Sequence, residues 1–171
     1  MLILGQHLIG KKIMSLRTGR PIGVTNEVII NPNNLKIEGW HATDLGDKKR
    51  AILLSQDVRD IIPQGFVVND HDALTSPDEL VRLRDILSYH FTLQDKSVVS
   101  DRRRRIGKVA DYAFDKDIFM VQKLQVGQSI IKSFTGGALM IDRSQIVEIN
   151  NKKIVVREAT AEDTVPMPAV A

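Results

Sequence analysis

The chain has 171 residues, 43% of them hydrophobic and 26% charged, enough apolar material for one sizeable core or two small ones, so disorder is not its default state. It contains no cysteine, which excludes a disulfide framework, a thiolate metal site and a thiol nucleophile, and which fits a reducing compartment. The formal charge is only +3, so its distribution along the chain matters more than its size.

The opening segment MLILGQHLIGKKI is apolar at first, but Gly5, Gln6 and His7 interrupt it far short of the roughly 20 residues that span a bilayer. It has neither a basic stretch before the apolar residues nor a small-residue cleavage site after them, so no secretory signal is expected. A cytoplasmic location is expected. From Leu8 onward, β-branched residues at alternating or short continuous positions are punctuated by Gly, Asn, Asp and Pro, the signature of short strands. The segment NEVIINPNNLKIEGW predicts a hairpin: Asn31 to Asn34 tolerate turn geometry, and Val28, Ile30, Leu35 and Ile37 give both arms an apolar face. Trp40 lies in the second arm as a core residue, an aromatic edge or a binding-surface anchor.

Ser76-Pro77-Asp78-Glu79 combines a capping serine, a proline at the first helical position and a glutamate placed for a capping box. It predicts a helix across 76–92, with Leu80, Leu83, Leu87 and Phe91 at helical spacing, Ile86 beside them, and Asp78, Arg82 and Asp85 on another face. This amphipathic connector is expected to pack on the strands around it, the alternative being a helix that binds a partner or lies on a membrane surface. A second set of strands follows over 93–160. The end, 161–171, has two prolines and no periodicity and is expected to be disordered.

The two sets of strands are similar to each other. LIGKKIMS (Leu8 to Ser15) aligns with LQDKSVVS (Leu93 to Ser100), and RPIGVTNEVII (Arg20 to Ile30) with RRIGKVADYAF (Arg104 to Phe114). The second pair matches Ile22-Gly23 to Ile106-Gly107 and Glu27 to Asp111. Further on, VRDIIPQGFVVND answers IVEINNKKIVVRE. Each copy is near the lower limit of independent folding, and closing its sheet into a small barrel would remove exposed edges.

In this order the residues resemble the PRC-barrel superfamily twice over. The first copy supplies Gly10, Ile13 and Ser15, then Gly19, Ile22, Gly23 and Glu27; the second supplies Val98, Ser100, Ile106, Gly107, Val109 and Asp111. ILLSQDVRDI and LMIDRSQIVEI, followed by FVV and IVV, fit the late part of the unit. The resemblance implies a mainly β protein with two small PRC-barrel-like β-barrels, 5–75 and 93–160, joined by the amphipathic α-helix. Similar barrels occur in a ribosome-maturation factor and in the photosynthetic reaction-centre H subunit. The implied role is a non-catalytic binding or scaffold protein with another protein as partner. The alternatives are an RNA-associated factor meeting ribosomal RNA or a ribosomal protein, and a peripheral membrane adaptor.

The positive charge is local. Gly5 to Thr75 carries 9 basic and 8 acidic residues, whereas Leu93 to Thr160 carries 13 and 8, and four of those 13 are the run Arg102, Arg103, Arg104 and Arg105. Alignment sets Asp101 to Arg105 opposite Leu16 to Pro21, a turn between the first two strands. Burying unpaired guanidinium groups there would be costly, so the run is solvated or paired with a carboxylate. With Lys108 it is the candidate contact for an anionic partner, since arginine offers planar donors that match phosphate and carboxylate oxygens. No aromatic adjoins the run, and Tyr112 and Phe114 read as barrel-filling strand residues, which disfavours base stacking. No reading of DNA sequence is suggested.

The case for chemistry is thin. The four histidines, at 7, 41, 71 and 90, are scattered. Asp70, His71 and Asp72 form the one tempting cluster, but neighbours on an extended segment point alternately, so a polar loop is expected and no metal or cofactor. Gly136-Gly137 precedes a strand and reads as a hairpin turn or bulge rather than a phosphate cradle. No catalytic residue is assigned.

Overall fold

The computed structural model describes residues 1–127 and 138–158, and the protein is mainly β. The first half carries β1 (Leu2–Leu4), β2 (Lys12–Ser15), β3 (Pro21–Ile30), β4 (Ile37–Asp44), β5 (Arg50–Leu54), β6 (Val58–Ile62), β7 (Gly65–Val68) and β8 (Leu74–Thr75). After α1 (Arg84–Ser88) come β9 (Ser97–Ser100), β10 (Arg105–Asp115), β11 (Met120–Gly127), β12 (Leu139–Asp142), β13 (Ile146–Ile149) and β14 (Lys153–Val156). The turn expected at Gly136-Gly137 and the disorder expected over 161–171 fall outside the described residues.

Among the described residues the strands form two seven-stranded sheets. One runs β6-β7-β2-β3-β4-β5-β8, and the other β13-β14-β9-β10-β11-β12 with β1 added on β10. Six strands of each therefore follow the same order. In both, the first strand of the repeat pairs in parallel with the last, Ile13 opposite Phe66 and Val98 opposite Ile154. That contact curls each sheet back on itself. Among the described residues the curl does not close by hydrogen bonds, and β6, β8, β12 and β13 remain as edges.

The expected hairpin forms. The Leu35 amide donates to the Asn31 carbonyl (2.8 Å) and the Asn33 amide to the Asn31 side chain (3.0 Å), with Leu35 in the left-handed region at φ 58°. The second half repeats the turn 84 positions later. Phe119, at φ 53°, donates to the Asp115 carbonyl (2.8 Å), and the Asp117 amide donates to the Asp115 carboxylate.

These two turns meet. The Ile37 amide donates to the Phe119 carbonyl (2.7 Å) and the Val121 amide to the Leu35 carbonyl (3.1 Å), about a bridge between the equivalent residues Lys36 and Met120. The exchange is reciprocal, as in a contact between two copies related by a twofold axis. Behind it, Trp40 of the first half is only 1% exposed, with its ring 4.6 Å from Phe66 and 6.4 and 6.0 Å from Phe114 and Phe119 of the second. Most of the buried hydrophobic residues of both halves join in one cluster.

The segment leading into each half also packs on the other half. β1 pairs with β10, Leu2 opposite Asp115 and Leu4 opposite Ala113, while α1 lies against β3. Gly5 is required at the first crossing, because a Cβ there would sit 2.1 Å from the Tyr112 ring.

The helix expected across 76–92 is not continuous. Pro77–Glu79 and Val81–Leu83 are separate 3-10 turns, α1 is five residues long, and Ser76 accepts no capping bond through its side chain. The break falls at Leu80, which leaves helical geometry at φ −92°, ψ 69°. The first turn packs on β5 and α1 on β3, so the chain bends between them, and tertiary burial of Leu83 and Phe91 overrides local propensity.

Candidate functional site

Asp101 to Arg104 form the turn between β9 and β10. The Ser100 amide donates to the Arg104 carbonyl (2.8 Å), and the Arg104 amide returns a bond to the Ser100 hydroxyl (3.1 Å). In the first half the Ser15 amide donates to the Arg20 carbonyl (3.0 Å), closing a turn one residue longer. The left-handed position is Gly19 there, at φ 65°, and Arg103 here, at φ 66°.

The segment that follows β14 braces the turn. The Asp101 amide donates to the Val156 carbonyl (2.8 Å) and the Glu158 amide to the Asp101 carboxylate (3.2 Å), which sets the Glu158 side chain between two arginines. Arg104 Nη1 lies 3.0 Å from Glu158 Oε1. Arg102 Nε lies 3.5 Å from Oε2, close enough for Coulomb attraction but without a hydrogen bond. Arg103 and Arg105 are exposed, and no carboxylate among the described residues pairs with them. Lys108 stands farther along β10, opposite Ser97 and Gly127. Tyr112 and Phe114 are buried, so neither offers a ring for stacking beside the turn.

The Asp70-His71-Asp72 cluster is spent locally. Asp70 accepts from the Asp72 amide (3.1 Å), while His71 Nε2 lies 2.6 Å from Oδ2 of Asp44, a buried carboxylate at the end of β4 whose other oxygen accepts from the Gly46 amide. These contacts fasten a loop to the sheet. Among the described residues no three His, Asp or Glu side chains are grouped to hold a metal.

Two of the scattered histidines do come together. His41 of β4 and His90, after α1, line a cleft of about 360 Å³ with Asn26, Glu27 and Arg50. Burial holds the His41 pKa below its ordinary value; Glu27 acts against that, while Arg50 and His90 add to it. The opposition of Glu27 and His41 follows from hairpin register and was within reach of the sequence. The approach of His90 was not, because it depends on how α1 packs.

No family model matches this chain, and no curated protein matches it. Among the described residues no helix is long and apolar enough to cross a membrane.

Proposed function

We propose that the chain is a tandem PRC-barrel protein, a non-catalytic cytoplasmic scaffold that holds an acidic face of another protein at the β9–β10 turn. The observation that carries this reading is the division of labour among the four arginines. Glu158 pairs with Arg104 and attracts Arg102, whereas Arg103 and Arg105 are exposed without a carboxylate partner among the described residues, on a turn whose backbone is braced. Their planar guanidinium groups match the carboxylates of an acidic protein face. The burial of the neighbouring aromatics favours a protein over a single-stranded nucleic acid.

The test is affinity purification of the wild type and of the Arg103→Ser, Arg105→Ser double variant, with and without nuclease. A discrete protein that survives nuclease, is released by moderate salt and is missing from the variant is the expected result. Capture that disappears with nuclease would replace the reading with an RNA-associated role. Equal capture by the variant would remove the turn from consideration.

A further inference from the structure

The internal repeat supplies a comparison at the two sheet edges β6 and β13. The edges are equivalent residue by residue. Asp60 of β6 opposes Val67 and Glu148 of β13 opposes Val155, each just after a register shift, which leaves Arg59 and Val147 as the matching irregular positions. At the first edge the hairpin turn of the other half supplies Lys116, whose Nζ lies 3.2 Å from Asp60. Arg59 is also tied down, donating from Nε to the Asn69 side chain at 2.8 Å.

At the second edge both features are replaced. The residue equivalent to Lys116 is Pro32, which carries no charge, and among the described residues no cation pairs with Glu148. In place of Arg59 stands Val147, a hydrophobic residue 58% exposed at a sheet edge. Between this edge and the Pro32 to Leu35 turn lies a groove of about 670 Å³, with Ile146 and Ile149 on its β13 side. Arg143 holds the groove in shape by donating to the Asn34 carbonyl (2.7 Å) and the Val121 carbonyl (3.2 Å).

We infer that β13 is a docking edge for an extended segment of a partner protein, one that places a lysine or arginine on Glu148 and an apolar side chain on Val147. The Lys116–Asp60 pair shows within the same molecule which chemistry the equivalent edge accepts. The four residues of β13 provide about 13 Å of edge, so the segment is short, with main-chain bonds to the strand and alternate side chains choosing the partner. This surface is separate from the arginine turn and selects the opposite charge.

The experiment uses the isotopically labelled full chain and a synthetic peptide, acetyl-TVKVT-amide, with acetyl-TVEVT-amide as control, followed through amide chemical shifts. The lysine peptide should shift the amides of Ile146 to Ile149 and of Asn33 to Leu35. Its affinity should fall about fivefold with Glu148→Gln, the scale of one exposed ion pair. Pro32→Lys, which supplies the missing internal cation, should weaken the peptide similarly while leaving the spectrum dispersed. The Arg103→Ser, Arg105→Ser variant should bind the peptide unchanged, which separates this inference from the function proposed above. No shifts at millimolar peptide, shifts centred elsewhere, or equal response to both peptides would overturn it. So would concentration-dependent dimerisation abolished by Val147→Lys, which would make a second copy the occupant.

Discussion

Arg103 holds a backbone φ of 66° where the equivalent residue, Gly19, holds 65°, so the two halves carry a built-in swap experiment. A side chain in the left-handed region costs roughly 1–2 kcal/mol. Glycine avoids that cost but loses about 0.5–1 kcal/mol more chain entropy on folding. Arg103 is exposed and has no ion pair among the described residues, so its removal forfeits little packing. Arg103→Gly should therefore stabilise the protein by about 0.5–1 kcal/mol, and Gly19→Arg should destabilise it by a similar amount. Urea unfolding of both variants at one pH, with the slope unchanged, measures the two effects. If Arg103→Gly destabilises, the side chain makes a stabilising contact and the turn is not merely strained. If the glycine variant is more stable yet loses the captured partner, the arginine is retained for binding.

Trp40→Ala should cost about 3–5 kcal/mol, and because the ring touches both halves the variant should still unfold in a single calorimetric transition; two resolved transitions would refute the shared core. Gly65 sits at φ 145°, with a prospective Cβ 2.1 Å from the Lys12 carbonyl oxygen in the parallel partner strand, so Gly65→Ala should destabilise by more than about 3 kcal/mol in the same assay, whereas Gly10→Ala, at φ 71° with open space around it, should cost only about 1 kcal/mol. The folded-state pKa of His41 lies below its ordinary value of 6.5, so near and below that pH the unfolded chain binds more protons and stability falls as pH falls. His41→Gln, which copies Gln125 at the equivalent position, should lessen the loss between pH 7.5 and 5.5; an unchanged pH dependence would count against a half-buried imidazole that resists protonation.

Much of the local plan was legible in the sequence. The turn at Asn31 to Asn34 and the opposition of LRTGRP to DRRRR both depend on residues close together in the chain, and such signals survive folding because turn geometry limits which residues can occupy it. The alignment of the copies even anticipated that the arginine run replaces a glycine-containing turn, although the left-handed angle at Arg103 is set by the folded backbone. The linker departs from its local signals. Its capping residues and leucine spacing describe a helix, but they carry no information about the sheets on either side, and those sheets bend the segment at Leu80.

The sequence by itself determined that the chain is strand-rich, repeated, and marked at one turn by four arginines, because periodicity, turn chemistry and charge are properties of neighbouring residues. Only the tertiary structure decided how the copies are joined. The reciprocal bonds between Leu35 and Val121 and between Phe119 and Ile37, the placing of β1 on β10, the meeting of His41 with His90, and the fixing of Glu158 between Arg102 and Arg104 all link distant parts of the chain. A strand's alternation states which face it buries, but not which partner covers it. That choice is made by filling one core around Trp40 and satisfying the backbone groups beside it.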